Sequence, residues 1–149
     1  MKSGAPPDLP TLVAIAIVAY GLANIAHEGV GHGGACLLAG SRPMVLSSVH
    51  FQCDEAVLTE GGRRLLAAGG TLLNLVFGGL AFVGFRAWRR GAHVRWFLWL
   101  LATVNLFQAA GYFLFSGIGN LGDWGVVIDG LRPTLAWRAA LTVAGSATC

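Results

Sequence analysis

The sequence predicts an all-α integral membrane protein of about four transmembrane helices, with a short loop or β-hairpin between the first and the second. Three observations lead there. Of the 149 residues, 55% are hydrophobic and 11% charged, whereas a soluble domain carries about 25% charged residues. The thirty-two residues from Leu9 to Gly40 hold no lysine, arginine or aspartate and only three histidine or glutamate side chains, His27, Glu28 and His32, in a run well beyond the roughly twenty that cross a bilayer. Two further uncharged runs of similar length follow, and no single soluble core of this size could absorb all three. The chain is therefore expected to be one transmembrane domain, residues 1–149, multi-pass, with the lipid bilayer, most simply a cell membrane, as its solvent.

Each element follows in order. The run Leu9 to Gly40 reads as one long helix, or a helix with a broken far end. A cleaved signal peptide is the competing reading of its first part, but Lys2 alone forms a weak n-region and Asn24 fits poorly three positions before a cut at Ala26. From Ser41 to Gly62, the residues Arg42, Pro43, Asp54, Glu55 and Glu60 surround the apolar stretch Met44 to Phe51, which suggests a polar loop with a small hairpin. A second span runs from Leu65 to about Ala87 and closes on Trp88, Arg89 and Arg90, an interfacial aromatic followed by charge. A third runs from about Val94 to Phe115. Ser116 to Arg132, with five glycines and two aspartates, reads as a loop or re-entrant stretch. Thr134 to Cys149 is a short fourth segment that contains Arg138.

Charge and cysteines narrow the class further. The net charge of +3 comes from ten basic and seven acidic residues, and nearly half of the arginines cluster at one connection without a basic-aromatic stripe, so nucleic acid is not implied. Lys2, Arg86, Arg89, Arg90 and Arg95 fall on one side of the membrane and Arg42, Arg63, Arg64 and Arg132 on the other, which leaves orientation open. Cys36, Cys53 and Cys149 have no paired spacing, so neither a disulfide framework nor a zinc ribbon is indicated.

The chemistry concentrates in Ala26-His27-Glu28-Gly29-Val30-Gly31-His32. An ionisable side chain near the centre of a membrane helix costs about 2.5 kcal/mol or more when unpaired, so three in six positions need a reason. Histidines that only hydrogen-bond to neighbouring helices would explain one of them, not a glutamate set between two. Zinc explains all three: neutral imidazoles ligate it, and Glu28 can take a proton from a metal-bound water whose pKa falls to about 7. The spacing is unusual. The common motif is H-E-x-x-H, and here one more residue intervenes. At 100° per residue, positions five apart lie about 140° around a helix, so His27 and His32 meet one ion only if a π-bulge absorbs the extra residue, a distortion that Gly29 and Gly31 make cheap. A regular helix would instead align Glu28, His32 and Cys36.

Two more elements point to the same half of the membrane. His27 lies roughly 26 Å along the helix from Pro10, near the far side of a hydrocarbon core about 30 Å thick. The third span runs parallel to the first, so Asp123 emerges at that level as a candidate third ligand, with Asp129 as its competitor. Gly70, Asn74 and Gly78 share one face of the second span, where Asn74 can offer its amide to a neighbouring helix or to a substrate backbone.

With these residues, the sequence resembles the site-2 protease family of intramembrane zinc metalloproteases. The resemblance rests on the His-Glu motif, on Ala68-Gly69-Gly70-Thr71-Leu72-Leu73-Asn74 in the second span and on Asn120-Leu121-Gly122-Asp123 after the third. The sequence departs from the family in the extra residue of the first motif, similar to the H-E-L-L-G-H form of dipeptidyl peptidase III enzymes, and in lacking the proline and Leu-Asp-Gly ending of the last. The resemblance implies His27, His32 and Asp123 as ligands of Zn2+, Glu28 as the base, Asn74 and Asn120 as substrate contacts, and a transmembrane protein as the substrate. A membrane protein that binds metal without hydrolysis, a transporter component or sensor with Glu28 as a ligand, is the alternative.

Overall fold

A computed structural model describes residues 7–148; Lys2 and Cys149, which entered the sequence reading, lie outside them. The chain forms α1 (Leu9–Ile25), a π-helical segment (Ala26–His32), α2 (Gly33–Leu38), β1 (Pro43–Leu46), β2 (Phe51–Cys53), a 3-10 turn (Glu55–Val57), α3 (Glu60–Ala87), α4 (Ala92–Gly119), α5 (Asp123–Ile128) and α6 (Thr134–Thr148). α1, the π segment and α2 run on as one 30-residue helix, and this helix, α3 and α4 are each long and apolar enough to cross a membrane. The expected fourth span is not among them: α6 has 15 residues, about 22 Å of helix against a hydrocarbon core of about 30 Å.

Local chemistry sets the ends of these helices. Asp8 caps α1, its carboxylate accepting from the Thr11 amide at 3.0 Å, and this bonding to Thr11 holds the Asp8 carboxyl below the usual carboxylate range. Thr59 caps α3 by accepting from the Gly62 amide at 3.1 Å. Gly91, with φ 69°, turns the chain from α3 into α4, and Arg95 closes the same turn by donating to the carbonyls of Phe85 and Trp88. At the other end of α4, Arg138 of α6 donates to the carbonyl of Gly117 at 3.0 Å and to that of Ile118. The one charge in the last apolar segment is thus a cap for its neighbour.

Large apolar side chains lie on the outside of the molecule, while its buried residues are mostly alanines together with a few polar side chains. The largest fully buried side chains are Asn74, Asn105, Thr71, Cys36 and Ser116, whereas Ile17, Val18, Leu80, Val83, Phe107 and Val143 are exposed. In lipid such exposure would carry no penalty, and helices there associate through small residues and interhelical hydrogen bonds. Accordingly the π segment and α3 touch through glycine: a Cβ on Gly31 would stand 2.6 Å from the Gly70 Cα, and one on Gly69 would stand 2.5 Å from the Gly31 carbonyl oxygen.

The connection after α2 holds the expected hairpin. β1 and β2 pair antiparallel, with Val45 opposite Gln52 and Leu46 opposite Phe51. Sequence spacing gave no sign that Cys36 and Cys53 are bonded, yet a disulfide joins them, tying the end of the first helix to the hairpin. Both cysteines are buried with Leu58. Cys36 is thereby removed from the alternative ligand set of Glu28, His32 and Cys36.

Candidate metal centre

The bend in ligand spacing is resolved by the backbone. Ala26–His32 is π-helical, so the turn takes up one additional residue and positions five apart come onto one face. As a result the Nε2 atoms of His27 and His32 stand 3.2 Å apart, their rings nearly perpendicular at 83°. Gly70 of α3 lies directly against both rings, and a Cβ there would stand 2.5 Å from His27 Cε1 and 2.6 Å from each Nε2. The glycine is what leaves room for the two imidazoles to converge.

Asp123, the first residue of α5, completes the group. Its Oδ2 is 3.7 Å from His27 Nε2 and 3.5 Å from His32 Nε2. Two ligands about 2.05 Å from a tetrahedral ion stand about 3.3 Å apart, so the three separations match one face of such a site. The Oδ2 atom is buried and has no hydrogen-bond partner, an arrangement costly for a carboxylate unless a cation faces it. Among the described residues, His27, His32 and Asp123 are the group that could hold a metal ion. Asp129 is elsewhere: it is exposed, and its carbonyl accepts from Arg64.

No protein-family model, curated protein or solved structure matches this chain. The site is therefore read from its own geometry.

The outer shell fixes the rings. His32 Nδ1 is 2.7 Å from the Leu66 carbonyl oxygen, which can only accept, so this nitrogen carries a proton and Nε2 is the atom turned to the centre. His27 stacks on Tyr112 with the ring centroids 4.7 Å apart, and its Nδ1 lies 3.0 Å from the Asn74 side-chain amide. Asn74 is fully buried and stands behind His27, apart from the residues that line the open cleft.

That cleft has a volume of about 610 Å³ and is lined by Glu28, His32, His50, Phe51, Tyr112 and Asp123, among others. Glu28 faces this space on the π segment while remaining outside the three-residue ligand cluster. Asn120 is not on the cleft wall; it is exposed and ends α4 in the left-handed conformation, φ 51° and ψ 44°. The site thus brings together His27, His32, Asp123 and Glu28, sets Asn74 behind them, and leaves Asn120 as a helix cap.

Tyr112, Gln108, Asn24 and the Leu66 carbonyl belong to the site but were missed by the motif reading. A backbone carbonyl leaves no trace in sequence. The other three did leave one: Asn105, Gln108 and Tyr112 recur at steps of three and four along α4, and Asn24 precedes His27 by less than one turn. Polar side chains at helical spacing inside apolar spans mark a functional face.

Proposed function

We propose that this chain is a zinc-dependent intramembrane peptidase, similar in kind to site-2 proteases, acting on the membrane-embedded segments of other proteins. The observation that carries the reading is the convergence of His27 Nε2, His32 Nε2 and Asp123 Oδ2 at 3.2 to 3.7 Å, beside a cleft into which Glu28 also faces. Three protein ligands with an open fourth position characterise catalytic rather than structural zinc. Zinc held there supplies Lewis acidity and lowers the pKa of water toward about 7. Glu28, on the wall of that cleft, would accept a proton from the attacking water and return it to the departing amine. The cleft, bounded by β2 and the ends of α3 and α4, has room for a few residues of an unwound substrate helix.

The same reading sets the cleft on the outer side of a cell membrane. A disulfide such as Cys36–Cys53 persists in oxidising compartments, and the arginine-dense turn from Arg86 to Arg95 then faces the cytoplasm, as basic connections do.

Glu28→Gln tests the chemistry. Purified in detergent, the variant is expected to keep its zinc and to lose peptide-bond cleavage of a panel of transmembrane peptides by at least about 100-fold. Loss of the zinc would instead make Glu28 a ligand and favour the non-hydrolytic metal-binding protein. In intact cells a membrane-impermeant chelator supplied from outside should stop wild-type cleavage; resistance to it, with sensitivity to a permeant chelator, would reverse the orientation.

A further inference from the structure

A second cavity, of about 300 Å³, opens between α3 and α4 and is lined by Phe85, Arg95, Trp96 and Trp99. It lies far from the metal centre: Gly70, which touches the two imidazoles, and Phe85 are fifteen residues apart on α3, about 22 Å along that helix. Its walls are aromatic. Trp96 and Trp99 meet edge to face with centroids 5.4 Å apart, and the Arg95 guanidinium stands 4.6 Å over the Phe85 ring. The side-chain bonds of Arg95 to the described residues are both made by Nη1, to the carbonyls of Phe85 and Trp88, which leaves Nε and Nη2 to other acceptors.

Arg95 is one of four arginines at this end. Arg86, Arg89 and Arg90 are exposed in and beside the same turn, and the ion pairs of the described residues all lie elsewhere. Residues 61–122 contain no aspartate or glutamate. The start of α1 packs beside the start of α4, so Asp8 is the acidic side chain nearest this end, and its carboxylate is already engaged in capping α1. The protein thus supplies a cluster of positive charge with little to balance it. Trp88, Trp96 and Trp99 are 38 to 48% exposed around it, the placement of tryptophan at the headgroup level of a bilayer.

We propose that this cavity binds one anionic phospholipid, its phosphate held by Arg95 with Arg89 and Arg90 adding attraction, and an acyl chain lying on Phe85, Trp96 and Trp99. The inference rests on the membrane reading and is independent of the metal. A soluble anion would answer the arginines and leave the aromatic cavity unfilled. A neutral lipid would fill the cavity and leave the charge unanswered. An anionic phospholipid meets both demands, and basic pockets between transmembrane helices are where such headgroups bind.

The test titrates the full-length protein, purified in detergent, with phosphatidylglycerol, with phosphatidylcholine of the same acyl chains, and with glycerol phosphate as the bare headgroup, bound lipid being read by native mass spectrometry. One phosphatidylglycerol per chain is expected to bind at least about tenfold more tightly than phosphatidylcholine, with glycerol phosphate not retained. An arginine near the surface contributes about fivefold, so Arg89→Gln with Arg90→Gln should weaken phosphatidylglycerol by about 10- to 30-fold and leave phosphatidylcholine within about twofold. Trp99→Ala should weaken both lipids several-fold and keep their ratio. Should Trp99→Ala lose helix content, the wild-type ratio and the arginine variant decide. Equal affinity for the two lipids, or folded variants that hold both lipids like the wild type, would overturn the proposal. Glycerol phosphate bound as tightly as phosphatidylglycerol would overturn it too, by assigning the arginines to a soluble anion.

Discussion

Gly70 shows how one residue can decide the site without taking part in its chemistry. Its missing side chain is the volume in which the two imidazoles meet, since a Cβ would come within 2.6 Å of both Nε2 atoms. Gly70→Ala is therefore expected to lower zinc affinity by more than about 100-fold while leaving a folded, helical protein. Gly79, farther along the same helix, has no neighbour within 4 Å of its Cβ position, so Gly79→Ala should keep zinc and gain up to about 1 kcal/mol of helix stability. Equal zinc loss in both variants, measured by chelator competition with helix content monitored, would show that α3 simply tolerates no change. At this scale the sequence was informative about His27, Glu28 and His32, because an ionisable group in an apolar run must be paired or used, whereas Asp123 was reached only from the direction of the third span. It was less informative about Asn74, whose amide could equally have met a substrate; that it meets His27 depends on how closely the glycines let α3 approach.

Among the elements, the π segment is the decisive one. The distance between His27 and His32 in sequence forced a choice between a distorted helix and a different ligand set, and the backbone takes the distortion over Ala26–His32. Val30 sits on the exposed side of that turn, away from the ligands. Deleting Val30 should return the segment to a regular α-helix with the histidines four apart, since a π-bulge differs from an α-turn by one inserted residue. The deletion is expected to bind zinc within about tenfold of the wild type, read by the same competition assay. Complete loss of zinc from a protein that is still helical would mean that the π turn does more than restore register. Helix existence was readable here because lipid leaves the backbone no other partner, and the hairpin was readable from the clustering of polar and turn-forming residues. The Cys36–Cys53 bond was not, because its two halves lie in different elements and only the fold of the hairpin over α2 brings them together. The shortness of α6 was readable from the sequence, whereas the docking of its Arg138 on the end of α4 was not.

At the scale of the whole molecule, parallel passage of the first and third spans is what delivers Asp123 to the level of the π segment, while α3 returns between them with its small residues facing inward. Three helices, a hairpin fastened by a disulfide and a short α5 thus enclose one polar centre within an apolar exterior. The outward face of valines, leucines and phenylalanines suits lipid, and among the buried polar atoms without a hydrogen-bond partner is Asp123 Oδ2, which faces the two imidazoles. That residual valence is the reason to expect a cation. The most direct test is elemental analysis of the protein purified without added chelator, alongside His27→Ala, His32→Ala and Asp123→Ala. The account predicts about one zinc per wild-type chain, bound by the two imidazoles and the carboxylate, and loss of it in each variant. Wild-type protein without stoichiometric metal after zinc is offered, or variants that retain it, would contradict the account.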